Sequence, residues 1–350
     1  MADLVAISYP DTPESEVQGL VDEAVAAGLT ATLHRADRRF LIFLGSGAAG
    51  QLDEKFLAQK PYISDVVRGN SAYPLADRAR CPAGTVVQVG DVRIGGENTV
   101  LIAGPCSAET PEVLLETAAK VRELGASMLR VGIFKPRTTP YTFQGLGAAL
   151  FEALDEARTR YNLPIVSEVV SVAQLDGLPA AVDMVQVGAR NMQNYPLLRA
   201  LATCGRPVLL KRGLAATVDE WLSAAEYLLA GGNDQVVLCE RGIRTYERST
   251  RFTLDLTVVP VLRHRTHLPV IVDPSHGTGR AELVYPMARA GIAAGADGVI
   301  VEVHPRPALA LSDGAQSLDL AGFAQLVTGL DPVARAVGRP LHSHPALQPA

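Results

Sequence analysis

The sequence predicts an α/β protein: a (β/α)8 TIM barrel over residues 85–338, preceded by a small α+β, ferredoxin-like (ACT-like) domain over residues 1–70. Three observations predict it. From residue 100 onward a short apolar run, a polar loop and an amphipathic helix succeed one another eight times, which over about 250 residues is the measure of a closed barrel. The apolar runs are uninterrupted rather than alternating, as parallel strands covered on both faces require. The first 70 residues read strand, helix, strand, strand, helix, strand, the order of a split βαβ unit common among regulatory modules. A doubly wound open sheet is the alternative use of the same repeat.

Taken in order, Leu4 to Ser8 reads as a strand. Thr12 then caps a helix with Pro13 at its first position, and Val17, Leu20, Val21, Ala24 and Val25 share one face. Ala31 to His34 and Phe40 to Leu44 form a hairpin across the polar turn Arg35 to Arg39, followed by a helix near Gln51 to Ala58 and a strand near Ile63 to Val67. Polar and proline punctuation makes 71–84 the linker. A short hairpin, Val86 to Val89 and Val92 to Ile94 around Gly90-Asp91, is expected to plug one end of the barrel. The barrel strands fall at Val100 to Gly104, Met128 to Ile133, Ile165 to Glu168, Met184 to Val187, Val208 to Lys211, Val236 to Glu240, Val270 to Asp273 and Val299 to Val303, with helices such as Val218 to Ala230 and Glu282 to Ala294 between them. The proline-rich tail, residues 339–350, reads as flexible.

Barrel chemistry collects at the C-terminal ends of the strands, so the residues just past each apolar run matter most. Those ends carry Arg130, Lys135, Arg137, Arg190, Lys211 and Arg241 in a chain of net charge −5. Pro136 and Pro140 stiffen the loop between Arg130 and Gly145 and aim its cations. Guanidinium groups take phosphate bidentately and lysine takes it as a point charge, so ligands with several negative charges fit, most simply two phosphorylated small molecules. A second group, Cys106, His276, Glu302 and Asp313, comes after strands one, seven and eight, which neighbour one another once a barrel closes. A thiolate, an imidazole and two carboxylates suit Mn²⁺, Fe²⁺, Co²⁺ or Zn²⁺ better than Mg²⁺. His34, His264, His267, His342 and His344 lack such company and read as structural or exposed.

Hydrophobic residues make up 48% of the chain and aromatic residues 5%, which fits an aliphatic core and, with the acidic balance, argues against a nucleic-acid surface. No run is long enough to cross a bilayer and the N-terminus lacks a basic signal region, so a cytoplasmic protein is expected. The four cysteines are scattered without a CxxC pair, which disfavours a disulfide framework.

Seven stretches carry a resemblance: Leu101–Glu109 (LIAGPCSAE), 135–147 (KPRTTPYTFQGLG), Gln186–Asn194 (QVGARNMQN), Leu209–Gly213 (LLKRG), Cys239–Thr245 (CERGIRT), Val272–Gly279 (VDPSHGTG) and Glu302–Pro305 (EVHP). In this order they resemble the type I 3-deoxy-D-arabino-heptulosonate 7-phosphate (DAHP) synthases, in the subgroup with an N-terminal ferredoxin-like regulatory domain. The sister 3-deoxy-octulosonate 8-phosphate synthases carry Lys-Ala-Asn-Arg-Ser-Ser where this chain has Lys135-Pro136-Arg137-Thr138, which favours a four-carbon aldose. The resemblance implies condensation of phosphoenolpyruvate with erythrose 4-phosphate at the head of the shikimate pathway. It implies that Arg130, Lys135, Arg190, Lys211, Arg241 and the Ala189 backbone hold phosphoenolpyruvate, that Arg137 and Thr138 hold the sugar phosphate, and that Asp273 holds a sugar hydroxyl. Cys106, His276, Glu302 and Asp313 would hold the metal, and Glu168, Lys135 or His276 would move protons. The sequence departs from the family at Val131, Ile133, Thr139 and Phe252, where Gly, Ala or Cys, Ser and Asn are usual; Val131 and Ile133 are expected to tighten the pocket floor. The subgroup also implies a homotetramer and feedback by tyrosine or phenylalanine at an N-terminal domain that closes over the barrel mouth. An octulosonate synthase and a non-catalytic aromatic amino-acid sensor are the other readings.

Overall fold

The computed structural model describes residues 3–45, 54–69, 71–134, 141 and 143–344. The N-terminal module comprises β1 (Leu4–Ser8), α1 (Glu14–Ala26), β2 (Thr30–Ala36), β3 (Arg39–Gly45), α2 (Glu54–Ala58) and β4 (Ile63–Arg68). Its sheet order is β2-β3-β1-β4, antiparallel throughout, which is the expected split βαβ topology. Pro13 is the N-cap of α1, one residue later than the sequence suggests. Val17, Leu20, Val21 and Ala24 of that helix pack on Leu4, Ala6, Phe40, Ile42 and Leu44 to make a small core of its own.

After the hairpin β5 (Val87–Val89) and β6 (Val92–Ile94) come β7 (Val100–Gly104), α3 (Pro111–Glu123), β8 (Met128–Arg130), α4 (Phe151–Arg160), β9 (Ile165–Val169), β10 (Val182–Val187), α5 (Tyr195–Ala202), β11 (Val208–Lys211), α6 (Val218–Ala230), β12 (Val236–Glu240), α7 (Val258–Arg265), β13 (Val270–Val272), α8 (Pro274–Thr278), α9 (Ala281–Ala293), β14 (Gly298–Glu302) and α10 (Leu320–Ala336). Strands β7 to β14 close into a parallel barrel. The closing pair sets Gly298 beside Val100 and Glu302 beside Gly104, which brings the eighth strand's carboxylate near Cys106. Gly104 is obligatory there: its φ is +152°, and a Cβ would stand 2.1 Å from the Arg130 carbonyl oxygen.

Hairpin residues Val87, Val89, Val92 and Ile94 join the apolar side chains that fill the barrel, so they stopper its N-terminal end. Val131 and Ile133 pack in the other cluster, between strands and helices, rather than in the pocket floor. Helix α6 shows how local signals fix an element. Thr217 and Glu220 form a reciprocal capping box, and Trp221 is buried with its Nε1 donating to Leu210 O at 3.2 Å.

Among the described residues, the N-terminal module meets its own barrel at the flank and base, not over the mouth. Glu226 of α6 accepts from Leu75 N and Ala76 N, both at 2.9 Å, and Asp234, in the loop leading into β12, takes Arg39 and Arg80, each at 3.0 Å. These contacts draw the linker along α6 instead of across the strand ends. The tail, expected to be flexible from Arg339, is fixed as far as His344: Thr99 N donates to Pro340 O at 2.8 Å and His342 N to Thr99 O at 2.9 Å.

Candidate active site

Period-two alternation decides which strand residues face the barrel axis. Ile102, Met128, Val166, Met184, Leu209, Cys239, Ile271 and Ile300 line the interior. Two positions further on from seven of these strands' inner residues stand Arg130, Glu168, Gln186, Lys211, Arg241, Asp273 and Glu302, all buried. Their outward neighbours, among them Leu129, Val185, Leu210, Leu238 and Val301, belong to the cluster under the helices. Alternation thus places a ring of polar side chains on an apolar floor at the C-terminal end. Arg212 and Glu240 fall on the outer face, paired with each other at 3.0 Å, and Arg212 also reaches Asp255 at 2.9 Å.

Cys106, His276, Glu302 and Asp313 come together as the sequence predicts: one ligand atom from each lies within 4.8 Å of the others. Cys106 Sγ stands 2.8 Å from Asp313 Oδ2, and His276 Nε2 stands 3.3 Å from Glu302 Oε1. His276 Nδ1 is 2.8 Å from Asp273 Oδ2, so Nδ1 donates and the Nε2 lone pair is turned to the cluster. Burial lowers the His276 pKa against the pull of Asp273 and Glu302, which favours the neutral, ligating imidazole. Burial alone would raise the Asp273 carboxyl, but His276, Lys211 and Arg130 outweigh it and hold its pKa well below the usual range. The donor set fits a borderline first-row divalent cation.

An outer set of groups steadies these four. Gln316 Nε2 donates to Glu302 Oε2 at 2.6 Å, and Arg251 Nη1 donates to Gln316 Oε1 at 2.9 Å and lies 3.4 Å from Asp313 Oδ1. Asp313 has φ +54°, a left-handed backbone that a non-glycine residue adopts at a cost. Gln186 Nε2 holds Glu168 Oε2 at 2.9 Å, and a Cβ on Gly188 would stand 2.1 Å from the other Glu168 oxygen.

Among the described residues the cations divide into those paired with a carboxylate of the site and those that are not. Arg130 Nη1 lies 3.0 Å from Glu302 Oε1, and Lys211 Nζ lies 2.5 Å from Asp273 Oδ2. Carboxylates therefore already offset two of the positive charges that the sequence suggested only ligands would balance. Arg241 differs: its Nη1 is buried with no hydrogen-bond partner among the described residues, its guanidinium sits 4.4 Å over the Phe252 ring, and burial lowers its pKa. Arg190 is exposed on the turn after β10 and with Ala189, Gln193, Gly213 and Glu220 lines a 340 Å³ pocket. Lys135, Arg137 and Thr138 lie outside the described residues.

Gln186, Arg251 and Gln316 join the site without having been expected from the sequence. Gln186 was findable, since alternation from Met184 puts it on the inner face. Gln316 and Arg251 reach the site from loops of irregular backbone, where no periodicity points.

The model of the DAHP synthetase I family matches residues 73–335. A phospho-2-dehydro-3-deoxyheptonate aldolase of Thermotoga maritima is 43% identical over 340 residues, 96% of this chain and 99% of that protein. A 2-dehydro-3-deoxyphosphooctonate aldolase of Methylobacillus flagellatus is 31% identical over 261 residues, 68% of this chain and 92% of that one. Among solved structures, a Thermotoga maritima phospho-2-dehydro-3-deoxyheptonate aldolase (DAHP synthase) aligns with a TM-score of 0.76 at 42% identity, over 98% of this chain and 100% of that chain. A truncated 3-deoxy-D-arabino-heptulosonate 7-phosphate synthase of the same organism gives 0.73 at 46%, over 77% and 99%.

Proposed function

The chain belongs to the DAHP synthetase I family, and we propose that the polar ring at its barrel mouth is where the family's reaction runs. That reaction is the aldol-like condensation of phosphoenolpyruvate with D-erythrose 4-phosphate to DAHP and inorganic phosphate, the first step of the shikimate pathway to the aromatic amino acids. The observation that supports this reading is Arg241, a buried guanidinium in the polar ring with a nitrogen that has no partner among the described residues. Leaving such a group unsatisfied costs about 1–3 kcal/mol or more, and an arriving phosphate or carboxylate removes that cost.

Arg130, Lys211, Arg241 and Arg190, with the Ala189 backbone, bind the carboxylate and phosphate of phosphoenolpyruvate. Lys135 completes that set, and Arg137 and Thr138 take the sugar phosphate. C3 of the enolpyruvate bonds to the aldehyde carbon and the aldehyde oxygen gains a proton. Water adds at C2 and gives up a proton, and the bond from C2 to the phosphate oxygen breaks. Glu168, whose carboxylate Gln186 holds, accepts a proton on this reading, with Lys135 or His276 as donor. Asp273 orients His276 and Lys211 through Oδ2 and keeps acceptor capacity on Oδ1 for a sugar hydroxyl. Members of the family depend on a metal; a divalent cation held by Cys106, His276, Glu302 and Asp313, whether Mn²⁺, Fe²⁺, Co²⁺ or Zn²⁺, would polarise the aldehyde. Binding both substrates in one blind pocket supplies the proximity.

The N-terminal module is the regulatory part on this reading, acting within a cytoplasmic homotetramer. A 630 Å³ groove lined by Thr30, Thr32, His34, Phe43, Pro74 and Glu226 offers ring and hydrogen-bonding surfaces for tyrosine or phenylalanine. The test is loss of phosphoenolpyruvate absorbance with erythrose 4-phosphate or arabinose 5-phosphate, after chelation and after return of each metal. Turnover of the four-carbon sugar alone, only with metal, is expected. Full activity in chelator removes the metal assignment, and equal use of the five-carbon sugar makes the enzyme an octulosonate synthase.

A further inference from the structure

The opposite end of the barrel holds a second group of metal-type donors. The tail is strapped to the start of β7, with Thr99 Oγ1 donating to Arg339 O at 2.7 Å and Arg339 Nη2 reaching the buried Asp297 at 2.7 Å. This lays His342 and His344 against the β5–β6 turn that carries Asp91. One ligand atom from each of Asp91, His342 and His344 lies within 4.8 Å of the other two.

The hydrogen bonds say what the imidazoles can do. His344 Nε2 stands 2.8 Å from the Ser127 carbonyl oxygen, which only accepts, so Nε2 carries a proton. Its Nδ1 stands 3.2 Å from Asp91 Oδ2, so in the neutral ring a lone pair faces a carboxylate. Two acceptors at that range need a positive species between or beside them, either a second proton on His344 or a cation. His342 favours the cation. Its ring is 4.8 Å from that of His344, edge to face, and its Nε2 is buried with no hydrogen-bond partner among the described residues. An imidazolium at His344 would leave that nitrogen unused, whereas a cation can draw on both rings. A backbone carbonyl fixing one imidazole nitrogen while the other faces the ligand position is the usual outer arrangement of a metal-binding histidine.

We propose that Asp91, His342 and His344 form a second divalent-cation site, for Zn²⁺ or an ion of similar borderline character, that fastens the C-terminal segment to the hairpin closing the barrel base. Two nitrogens and one carboxylate oxygen suit such ions, with water filling the remaining position. The His344 side chain is 1% exposed and that of Asp91 40%, which leaves a solvent side for that water. The site shares no ligand with the cluster at the mouth, and its histidines lie beyond residues 73–335, the span of the family match. A cation here joins the hairpin and the tail, remote in sequence, and stabilises the folded chain by mass action.

Metal-stripped full-length protein should be equilibrated with ZnCl₂ and its bound zinc counted. Two equivalents per chain are expected for the wild type, and one for His342→Gln and for Asp91→Asn. The thermal midpoint should rise with the second equivalent in the wild type, and that further rise should be missing in both variants. With Co²⁺, the variants should keep the thiolate charge-transfer absorption of the mouth site, which shows that they are folded; Cys106→Ala should lose that absorption yet retain one equivalent. A single equivalent in the wild type, or unchanged stoichiometry in the folded His342→Gln and Asp91→Asn proteins, overturns the site.

Discussion

Arg241 separates stability from activity at one position. Replacing it with Met removes a buried charge lacking a full set of partners, so the folded state should hold or gain stability in urea titrations, while kcat/KM falls by roughly 10²–10³-fold. A loss of both together would mean that the guanidinium braces the fold. Gln316 acts at one remove: Gln316→Leu removes the amide that donates to Glu302 Oε2 and should weaken metal affinity by about 10–100-fold, read by competition with a chelating dye. Gly188→Ala drives a methyl into the Glu168 carboxylate and should lower kcat more than it raises KM for either substrate. Six side chains of the ring, Arg130, Glu168, Lys211, Arg241, Asp273 and Glu302, were legible in the sequence because strand-end position points to them. The pairing of Arg130 with Glu302 and Lys211 with Asp273 was not, because it depends on the register of strands that meet only when the barrel closes.

At the scale of elements, short apolar runs placed the barrel strands to within two residues at their starts, and the capping box of α6 marked its first turn. The docking of the tail was not legible, because proline and histidine in a terminal segment give no local signal of it; the tail's hydrogen bonds go to Thr99, more than 200 residues earlier. Helix α6 also hides a titratable clamp. Burial pushes the Glu226 carboxyl up to about 7, although the Leu75 and Ala76 amides pull the other way. An acid whose folded pKa is raised binds its proton more tightly in the folded state. Its contribution is therefore fully favourable below the unfolded value near 4.5 and is lost as pH rises through about 7. The loss is on the order of 3 kcal/mol. Glu226→Gln should flatten the fall in thermal midpoint between those pH values, and an unchanged slope would place the titration elsewhere.

Across the whole molecule, one face of the N-terminal sheet has a core of its own under its helices, while Val5, Ile7, Leu41 and Val67 join the apolar cluster of the barrel, and polar links add to that contact. Asp234 takes both Arg39 and Arg80, whose side chains are 3% and 10% exposed, so Asp234→Ala takes the carboxylate from Arg39 and leaves Arg80 with Asp65 alone, at 3.2 Å. The expected cost is about 1–3 kcal/mol, reduced from the figure for a fully buried pair because Asp234 itself is partly exposed. Limited proteolysis should then cut the linker at 71–84 faster than in the wild type while the barrel stays intact. Tyrosine or phenylalanine should inhibit the intact enzyme, and removal of residues 1–70 should abolish that inhibition without abolishing turnover. The stoppered base of the barrel has a kinetic corollary. A vessel with one doorway admits its contents in sequence, so whichever compound settles against the innermost guanidinium and ammonium groups has to arrive before its co-substrate. Initial-rate patterns should accordingly be those of compulsory-order addition, with phosphoenolpyruvate leading.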